Sequence, residues 1–216
     1  MIKHRNITSY SYTHFFVKRL IDYLLIFCSL IITIPLALII SIAIKIDSPG
    51  PVIFKQKRVG VNGMIFDMYK FRSMFENADQ SLHIQHINDY AAGNLDTDKG
   101  VKLKNDMRIT RVGRFIRKTS LDELPQLINI LIGTMTLIGP RPLPLYEVEH
   151  FNLWHDARLN VIPGISGYWQ VYGRSAVSFN DQLRYDIHYV KHKSILLDLK
   201  LIFLTIWVII RGKGAG

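Results

Sequence analysis

An uncharged run of 21 residues, from Leu24 to Ile44, places the strongest constraint on how this chain can fold. As an α-helix it would be about 32 Å long, which matches a bilayer hydrocarbon core of about 30 Å. A buried helix of a soluble protein is the alternative, although such helices are usually shorter. A cleaved signal peptide is not expected, because the run is longer than a signal's apolar region. The run therefore predicts a membrane helix over residues 18–46, after a basic tail at residues 1–17.

Pro35 interrupts this run, and a proline inside a helix removes a hydrogen bond and kinks the axis. Both flanks are basic: residues 1–19 contain four Lys/Arg and no acid, and residues 45–72 contain six against two acids. The positive-inside rule places both flanks on the cytoplasmic side. A re-entrant helix, broken at Pro35 and leaving by the leaflet it entered, satisfies this rule. An ordinary span that tolerates Pro35 by local adjustment is the alternative.

Charge and hydrophobicity together narrow the class of protein. The net charge is +10 and 49% of residues are hydrophobic. A basic surface suits nucleic acid, anionic lipid or phosphorylated small molecules, and the hydrophobic content favours a membrane-surface protein over a nucleic-acid binder. The only cysteine is Cys28. A disulfide within the chain and a cysteine zinc cluster are therefore excluded, which fits a reducing, cytosolic face.

Two adjacent carboxylates, Asp122 and Glu123, follow a segment (residues 99–118) with eight Lys/Arg and one acid. An anionic pair beside this positive charge indicates a site for a phosphorylated ligand, with a carboxylate reacting or holding a metal. The alternative is a capping box, in which Ser120 accepts from the Glu123 N–H at a helix start. Pro125 argues against a regular helix here, because the fifth helical position normally needs its N–H. The helix would then start late or be distorted.

Other basic residues stand in patterns that suit phosphate. Residues 52–56 and 64–72 predict two strands around a turn at 60–63, and period two places Lys70 and Arg72 on one face. Arg141 lies between two prolines, so little freedom remains to be lost on binding an anion. Aromatic residues at 168–172 precede Arg174 and would suit a ring and a pyrophosphate, although core packing explains them equally well.

The remaining patterns predict mostly helices. Helices are expected at residues 76–90, 109–117, 147–159 and 178–190, and loops at 94–100 and 163–167. A further helix at 196–210 has an uncharged part too short to span a bilayer. It is expected to lie in the membrane interface as an amphipathic helix, or to be a core helix.

Five segments, in this order, resemble the bacterial sugar transferases, the monotopic polyprenyl-phosphate phosphoglycosyl transferases. They are KRLID (18–22), GPVIFKQKRVG (50–60), YKFRSM (69–74), SLDELPQL to GPRP (120–142) and PGISG to GR (163–174). The resemblance covers residues 15–213. It implies an α+β membrane-associated fold with a re-entrant helix broken at Pro35. A mostly helical catalytic domain with a short β-hairpin would follow at 47–216, ending in an interfacial helix near 195–212.

The resemblance also implies a reaction: transfer of a sugar 1-phosphate from a UDP-sugar to a membrane polyprenyl (undecaprenyl) phosphate, with release of UMP. Asp122 would be the nucleophile that forms a covalent phosphosugar intermediate and would bind Mg²⁺, and Glu123 would assist by positioning or proton transfer. The expected phosphate ligands are Arg117, Arg141, Arg174, Lys70 and Arg72. The enzyme would act on the cytoplasmic face of a bacterial inner membrane, at the first membrane step of exopolysaccharide, capsule or O-antigen synthesis. Nucleic acid is not expected as a partner, and a homodimer is left open.

Two departures and two rival functions accompany this resemblance. Ile34 stands where some members have serine before the proline, and the chain resembles the catalytic unit without the extra N-terminal membrane domain of larger relatives. Residues 104–111 resemble the hexose-phosphate transferases of capsule and exopolysaccharide synthesis. The rivals are a non-enzymatic, membrane-tethered module that binds anionic lipid or nucleic acid, and a Mg²⁺-dependent phosphohydrolase that uses the same two carboxylates.

Overall fold

The computed structural model describes residues 12–76, 81–91, 106–149, 151, 154–173 and 177–211. Both helices and short strands occur along the chain, so the predicted mixture of helix and sheet is confirmed. The helices are α1 (Tyr12–Asp47), α2 (Ser81–Ala91), α3 (Arg111–Lys118), α4 (Gln126–Leu131), α5 (Leu145–Val148), α6 (Tyr168–Tyr172), α7 (Phe179–His192) and α8 (Ile195–Ile210). The strands are β1 (Ile53–Val59), β2 (Ile65–Phe71), β3 (Thr136–Ile138), β4 (Leu143–Pro144) and β5 (Gly164–Ser166).

Helix α1 is 36 residues long and contains Pro35 in its interior. It begins at Tyr12, inside the stretch expected to be a tail, and it runs as one helical segment to Asp47. Within the described residues it is the one helix long and apolar enough to cross a membrane. Large apolar side chains are exposed along it, such as Ile31 at 82% and Ile39 at 64%. Helix α1 is therefore compatible with a membrane anchor.

Both ends of α1 are tied to the rest of the protein. Near its start, the ammonium of Lys18 donates to the Ile138 carbonyl at 2.8 Å and pairs with Asp198 of α8 at 2.6 Å. At its end, the Asp47 carboxylate accepts from the Val112 backbone N–H at 2.9 Å. A buried pair such as Lys18–Asp198 is costly to break, because the remaining charge would be left without a partner. The same folded unit thus holds the helix at both ends.

Between these ties, one side of α1 packs against the strands and helices of that unit. Ile26 belongs to a buried cluster with Met68, Ile130 and Met135, and the second half of α1 forms another cluster. Its buried members are Ile40, Ile44, Phe71 and Ile116. Fully burying such a side chain contributes about 1.5–3 kcal/mol, so α1 is bound along its length and not only at its ends.

The predicted hairpin is confirmed. Strands β1 and β2 pair antiparallel from Ile53–Phe71 to Val59–Ile65, around a turn in which Asn62 has a φ of 55°. Asparagine tolerates this left-handed conformation better than most residues. Strand β4 pairs with the other edge of β1, opposite Arg58 and Val59. The hairpin therefore brings the residues after β3 next to β1.

Two predictions for the second half of the chain are wrong. Residues 147–159 do not form one helix, since α5 ends at Val148 and a separate 3₁₀ turn occupies His155–Asn160. The expected loop at 163–167 contains β5, which pairs in parallel with β3. A Cβ atom on Gly164 would lie 2.1 Å from the Gly139 nitrogen, so glycine permits this close approach.

Helices at 109–117 and 178–190 are confirmed as α3 and α7. The aromatic stretch at 168–172 forms the short helix α6, and the polar helix predicted from residue 76 is described from Ser81 onward. The predicted loop at 94–100 lies outside the described residues. Helix α8 is confirmed at Ile195–Ile210, with Leu201 fully buried and Phe203 72% exposed, and its place in the membrane interface stays a prediction.

Candidate active site

The Asp122–Glu123 pair lies in a tight connection between two helices. After α3, Ser120 adopts a left-handed φ of 58°, and Leu121–Glu123 form a single 3₁₀ turn before α4 begins at Gln126. The Ser120 side chain makes no capping hydrogen bond, so the capping-box prediction is wrong. The late start of the helix is confirmed, with Pro125 immediately before its first residue. The Glu123 side chain is therefore available for partners in other elements.

Two cations converge on one oxygen of Glu123. The Lys70 ammonium, on β2, donates to Oε1 at 3.1 Å, and the Arg141 guanidinium donates to the same atom at 2.7 Å. Burial alone would raise the pKa of Glu123, but Arg141 and Lys70 outweigh burial and hold this pKa well below its usual range. Glu123 is consequently ionised at all physiological pH values.

Asp122 lies in a different environment from its neighbour. Its closest cation is Lys70, with 3.9 Å between Nζ and Oδ2, and its carboxylate accepts no hydrogen bond from the described residues. Burial raises its pKa, and the charge of Glu123 adds to this effect, while Lys70, Arg141 and Arg117 oppose it. The side chain is 14% exposed. Asp122 thus presents a carboxylate that has only a long ion pair to Lys70 and no hydrogen-bond partner among the described residues.

Two further arginines hold the turn that carries Arg141. Arg158 donates to the Arg141 carbonyl at 2.7 Å, and Arg58 of β1 donates to the Pro142 carbonyl at 3.0 Å. Arg158 is itself paired with Asp186 of α7 at 2.5 Å, and both side chains are almost fully buried. Burial, and next the charge of Arg141, lowers the pKa of Arg58 to about 10. The backbone of this turn is therefore fixed from two sides.

Sequence reasoning missed these supporting residues. Arg58 stands in the KQKRVG stretch that carries part of the family resemblance, so that motif was a usable signal. Arg158 and Asp186 are far apart in sequence and meet only when α7 packs against the 3₁₀ turn at His155–Asn160. No local pattern marks such a pair.

The other predicted phosphate ligands differ in their positions. Arg117 is half-buried on α3 and close enough to lower the pKa of Asp122. Arg72 is buried and donates to the Ser48 carbonyl and hydroxyl at 2.7 and 3.0 Å. It anchors the chain after α1 through these contacts, and its role as a phosphate ligand stays a prediction. Arg174 lies outside the described residues.

The carboxylates of this site could supply only part of the coordination of a Mg²⁺ ion. No group of three or more His, Cys, Asp or Glu side chains converges within the described residues. Glu123 is engaged by two cations, which leaves Asp122 as the available oxygen ligand. Proteins often hold Mg²⁺ by one or two carboxylates together with substrate phosphates. The site therefore fits an ion shared with a phosphorylated substrate and not a cage made by the protein alone.

Comparison with known proteins assigns nearly the whole chain to one family. The family model for bacterial sugar transferases matches residues 13–212. Galactosyl transferase CpsE of Streptococcus agalactiae is 42% identical over 95% of this chain, and undecaprenyl-phosphate galactose phosphotransferase of Salmonella typhimurium is 44% identical over 93%. The chain spans 45% and 42% of these two proteins, less than half of each. Exopolysaccharide production protein ExoY of Sinorhizobium fredii is 37% identical over 92% of this chain and 87% of its own length. The chain belongs to the bacterial sugar transferase family.

Proposed function

We propose that this protein transfers a sugar 1-phosphate from a UDP-sugar to a polyprenyl phosphate and releases UMP. The observation that carries the proposal is the open carboxylate of Asp122 beside the Glu123–Lys70–Arg141 cluster. A nucleophile next to two half-buried cations suits a substrate that brings a diphosphate. The name of the Salmonella relative, an undecaprenyl-phosphate galactose phosphotransferase, supports the same lipid acceptor.

The proposed reaction has two displacements at one phosphorus atom. An Asp122 oxygen attacks the phosphorus next to the sugar, and the bond from that phosphorus to the bridging oxygen breaks, so UMP leaves with the electron pair. The phosphosugar is then bonded to Asp122. A polyprenyl phosphate oxygen attacks the same phosphorus, the bond to Asp122 breaks, and the carboxylate is regenerated. The products are UMP and a polyprenyl diphosphate sugar.

The neighbours of Asp122 would have distinct roles. Arg141 uses one of its five N–H donors on Glu123 at 2.7 Å, so further donors can contact phosphate oxygens. Lys70 lies between both carboxylates and would offset charge on the transferring group. Glu123 is held ionised, which supports a positioning role over proton transfer. A bound Mg²⁺ would supply further charge neutralisation at the diphosphate.

We also propose that α1 enters and leaves the membrane by the same leaflet. Two contacts, Lys18–Asp198 and Asp47–Val112, attach both ends of the helix to one folded unit. A straight span would place these two ends on opposite sides of a bilayer. Exposed apolar side chains on α8, including Phe203 and Trp207, would extend the membrane surface. The basic flanks favour the cytoplasmic face of a bacterial inner membrane.

A UMP-release assay tests the proposal. Purified protein, Mg²⁺ and undecaprenyl phosphate would be mixed with UDP-glucose, UDP-galactose or their N-acetylated analogues. We expect UMP with at least one donor, and a loss of about a thousandfold or more in Asp122→Asn. Asp67→Asn is the matched control, since Asp67 pairs only with the exposed Lys57 on the hairpin among the described residues.

Two results would count against this function. Full activity in Asp122→Asn would show that Asp122 is not the nucleophile. Release of free sugar phosphate without lipid acceptor would instead favour the phosphohydrolase.

A further inference from the structure

Helix α3 has three different sides. Ile116 and Gly113 face inward, and a Cβ on Gly113 would lie 2.0 Å from the Ser73 carbonyl oxygen, so α3 packs unusually closely here. Arg117 is half-buried toward Asp122. The third side faces outward, and neither the packing nor the proposed chemistry uses it.

This outward side carries three cations, and a fourth lies at the end of α1, which contacts the start of α3; we call these four residues the basic border. Its members are all exposed and comprise Lys45 at the end of α1 and, on α3, Arg111, Arg114 and Lys118. None of them has an ion-pair partner among the residues that the structure describes. Other surface cations do have one: Lys57 pairs with Asp67 at 3.4 Å, and Arg184 pairs with Asp181 at 2.8 Å. The basic border therefore leaves its positive charge available to an external anion.

Exposed apolar side chains lie among these cations. Phe115, whose neighbours on the helix surface are Arg111 and Lys118, is 61% exposed, and Ile46 next to Lys45 is 81% exposed. Ile46 and Arg111 line one cavity of about 670 Å³ where α1 meets the start of α3. The Asp47 carboxylate in this cavity is already bound to the Val112 N–H. Alternating cations and apolar groups suit the boundary between lipid headgroups and acyl chains.

We propose that the basic border binds anionic phospholipid headgroups, such as phosphatidylglycerol, with Phe115 and Ile46 inserted at the acyl boundary. The inference rests on the proposed function in one respect, that α1 lies in a membrane. Anionic lipid is the occupant that the pattern favours, because the border continues directly into the apolar surface of α1. Since α3 ends at Lys118, just before Ser120, lipid bound here would hold Asp122 at the level of the lipid phosphates.

Lipid preference can be measured without any sugar substrate. The whole protein would be placed in phosphatidylcholine nanodiscs containing traces of spin-labelled phosphatidylglycerol or phosphatidylcholine, and electron spin resonance would give the fraction of each label immobilised by the protein. Near an anionic surface one basic residue strengthens association about fivefold. We expect phosphatidylglycerol to be preferred by about that factor or more, and the preference to fall in high salt.

The decisive variant replaces all four residues of the basic border with glutamine. A matched control replaces four exposed cations elsewhere, Lys55, Lys57, Arg184 and Lys191. Loss of the preference in the border variant alone supports the inference. Equal loss in the control, persistence in the border variant, or no salt-sensitive preference in the unmodified protein would overturn it. Asp122→Asn should retain the preference, so a failure of the transferase proposal is distinguishable from a failure of this one.

Discussion

Two adjacent carboxyl groups, Asp122 and Glu123, have been given opposite properties by their surroundings. Glu123 receives hydrogen bonds from two cations and stays ionised, whereas Asp122 accepts none from the described residues and has a raised pKa. Pairs whose pKa values are separated in this way commonly divide two chemical roles. At the residue scale, the account therefore assigns reaction to Asp122 and positioning to Glu123.

Lys70→Gln tests this division through pH. In the proposed reaction Asp122 attacks in its ionised form, so kcat/KM should rise as pH increases through the pKa of Asp122. Lys70 lowers that pKa, and its removal should raise it further. We expect the acidic limb of the kcat/KM profile to move to higher pH in Lys70→Gln. Lys57→Gln, a surface change on the same hairpin, should leave the profile in place, and an unmoved limb in Lys70→Gln would contradict the assignment.

At the scale of elements, the turn with Arg141 is the piece that most needs support. It lies between β3 and β4, and its carbonyls are held by Arg58 from β1 and by Arg158, which Asp186 anchors to α7. A planar guanidinium can donate to two acceptors in fixed directions, and a lysine cannot reproduce that geometry. Arg158 therefore acts on the site through Arg141.

A double-mutant cycle tests this role of Arg158. If Arg158 works by placing Arg141, then Arg158→Lys should lower kcat, and it should cost much less in an Arg141→Lys background than alone. We expect a coupling of at least about 1 kcal/mol. A general loss of structure would instead multiply the two effects, and so a coupling near zero would contradict the role.

Local patterns predicted those elements whose signals are local. The β1–β2 hairpin, α3 and α7 follow from turn residues and periodicity. The sequence also predicted Lys70 and Arg141 as phosphate ligands, but not that both side chains bind Glu123. Period two indicated the face that Lys70 and Arg72 share, but it did not indicate how deeply each side chain is buried or that Arg72 contacts Ser48.

Tertiary contacts explain the other differences. The capping box is absent because Ser120 has a left-handed backbone and not the extended one of an N-cap, and because cations from β2 and the Arg141 turn bind Glu123. Strand β5 was missed because its partner, β3, is distant in sequence and the strand is only three residues long.

At the scale of the whole molecule, α1 and the rest of the chain form one unit. The helix is bound at its start, its middle and its end, while its other side is apolar and exposed. A protein held this way would sit in one leaflet with Asp122 near its surface. A water-soluble donor and a lipid acceptor could then reach the same carboxylate.

Cysteine labelling tests this arrangement. In a Cys28→Ser background, single cysteines would replace Tyr12 before the apolar run, Pro49 after it and Lys57 on the hairpin. In sealed vesicles of known orientation, a membrane-impermeant maleimide should label all three from the same side. Labelling of Tyr12→Cys from the side opposite to Lys57→Cys would show a full span and contradict the arrangement.

The central claim is that Asp122 carries the phosphosugar between donor and acceptor, and trapping that species is its most direct test. Protein would be mixed with Mg²⁺ and its UDP-sugar without polyprenyl phosphate, quenched in acid, and analysed as intact protein and as peptides by mass spectrometry. The account predicts about one UMP released per protein, a mass increase of one sugar phosphate on the peptide containing Asp122, and loss of this adduct when acceptor is added. No adduct on Asp122, with UMP released only when acceptor is present, would contradict the claim and indicate direct transfer.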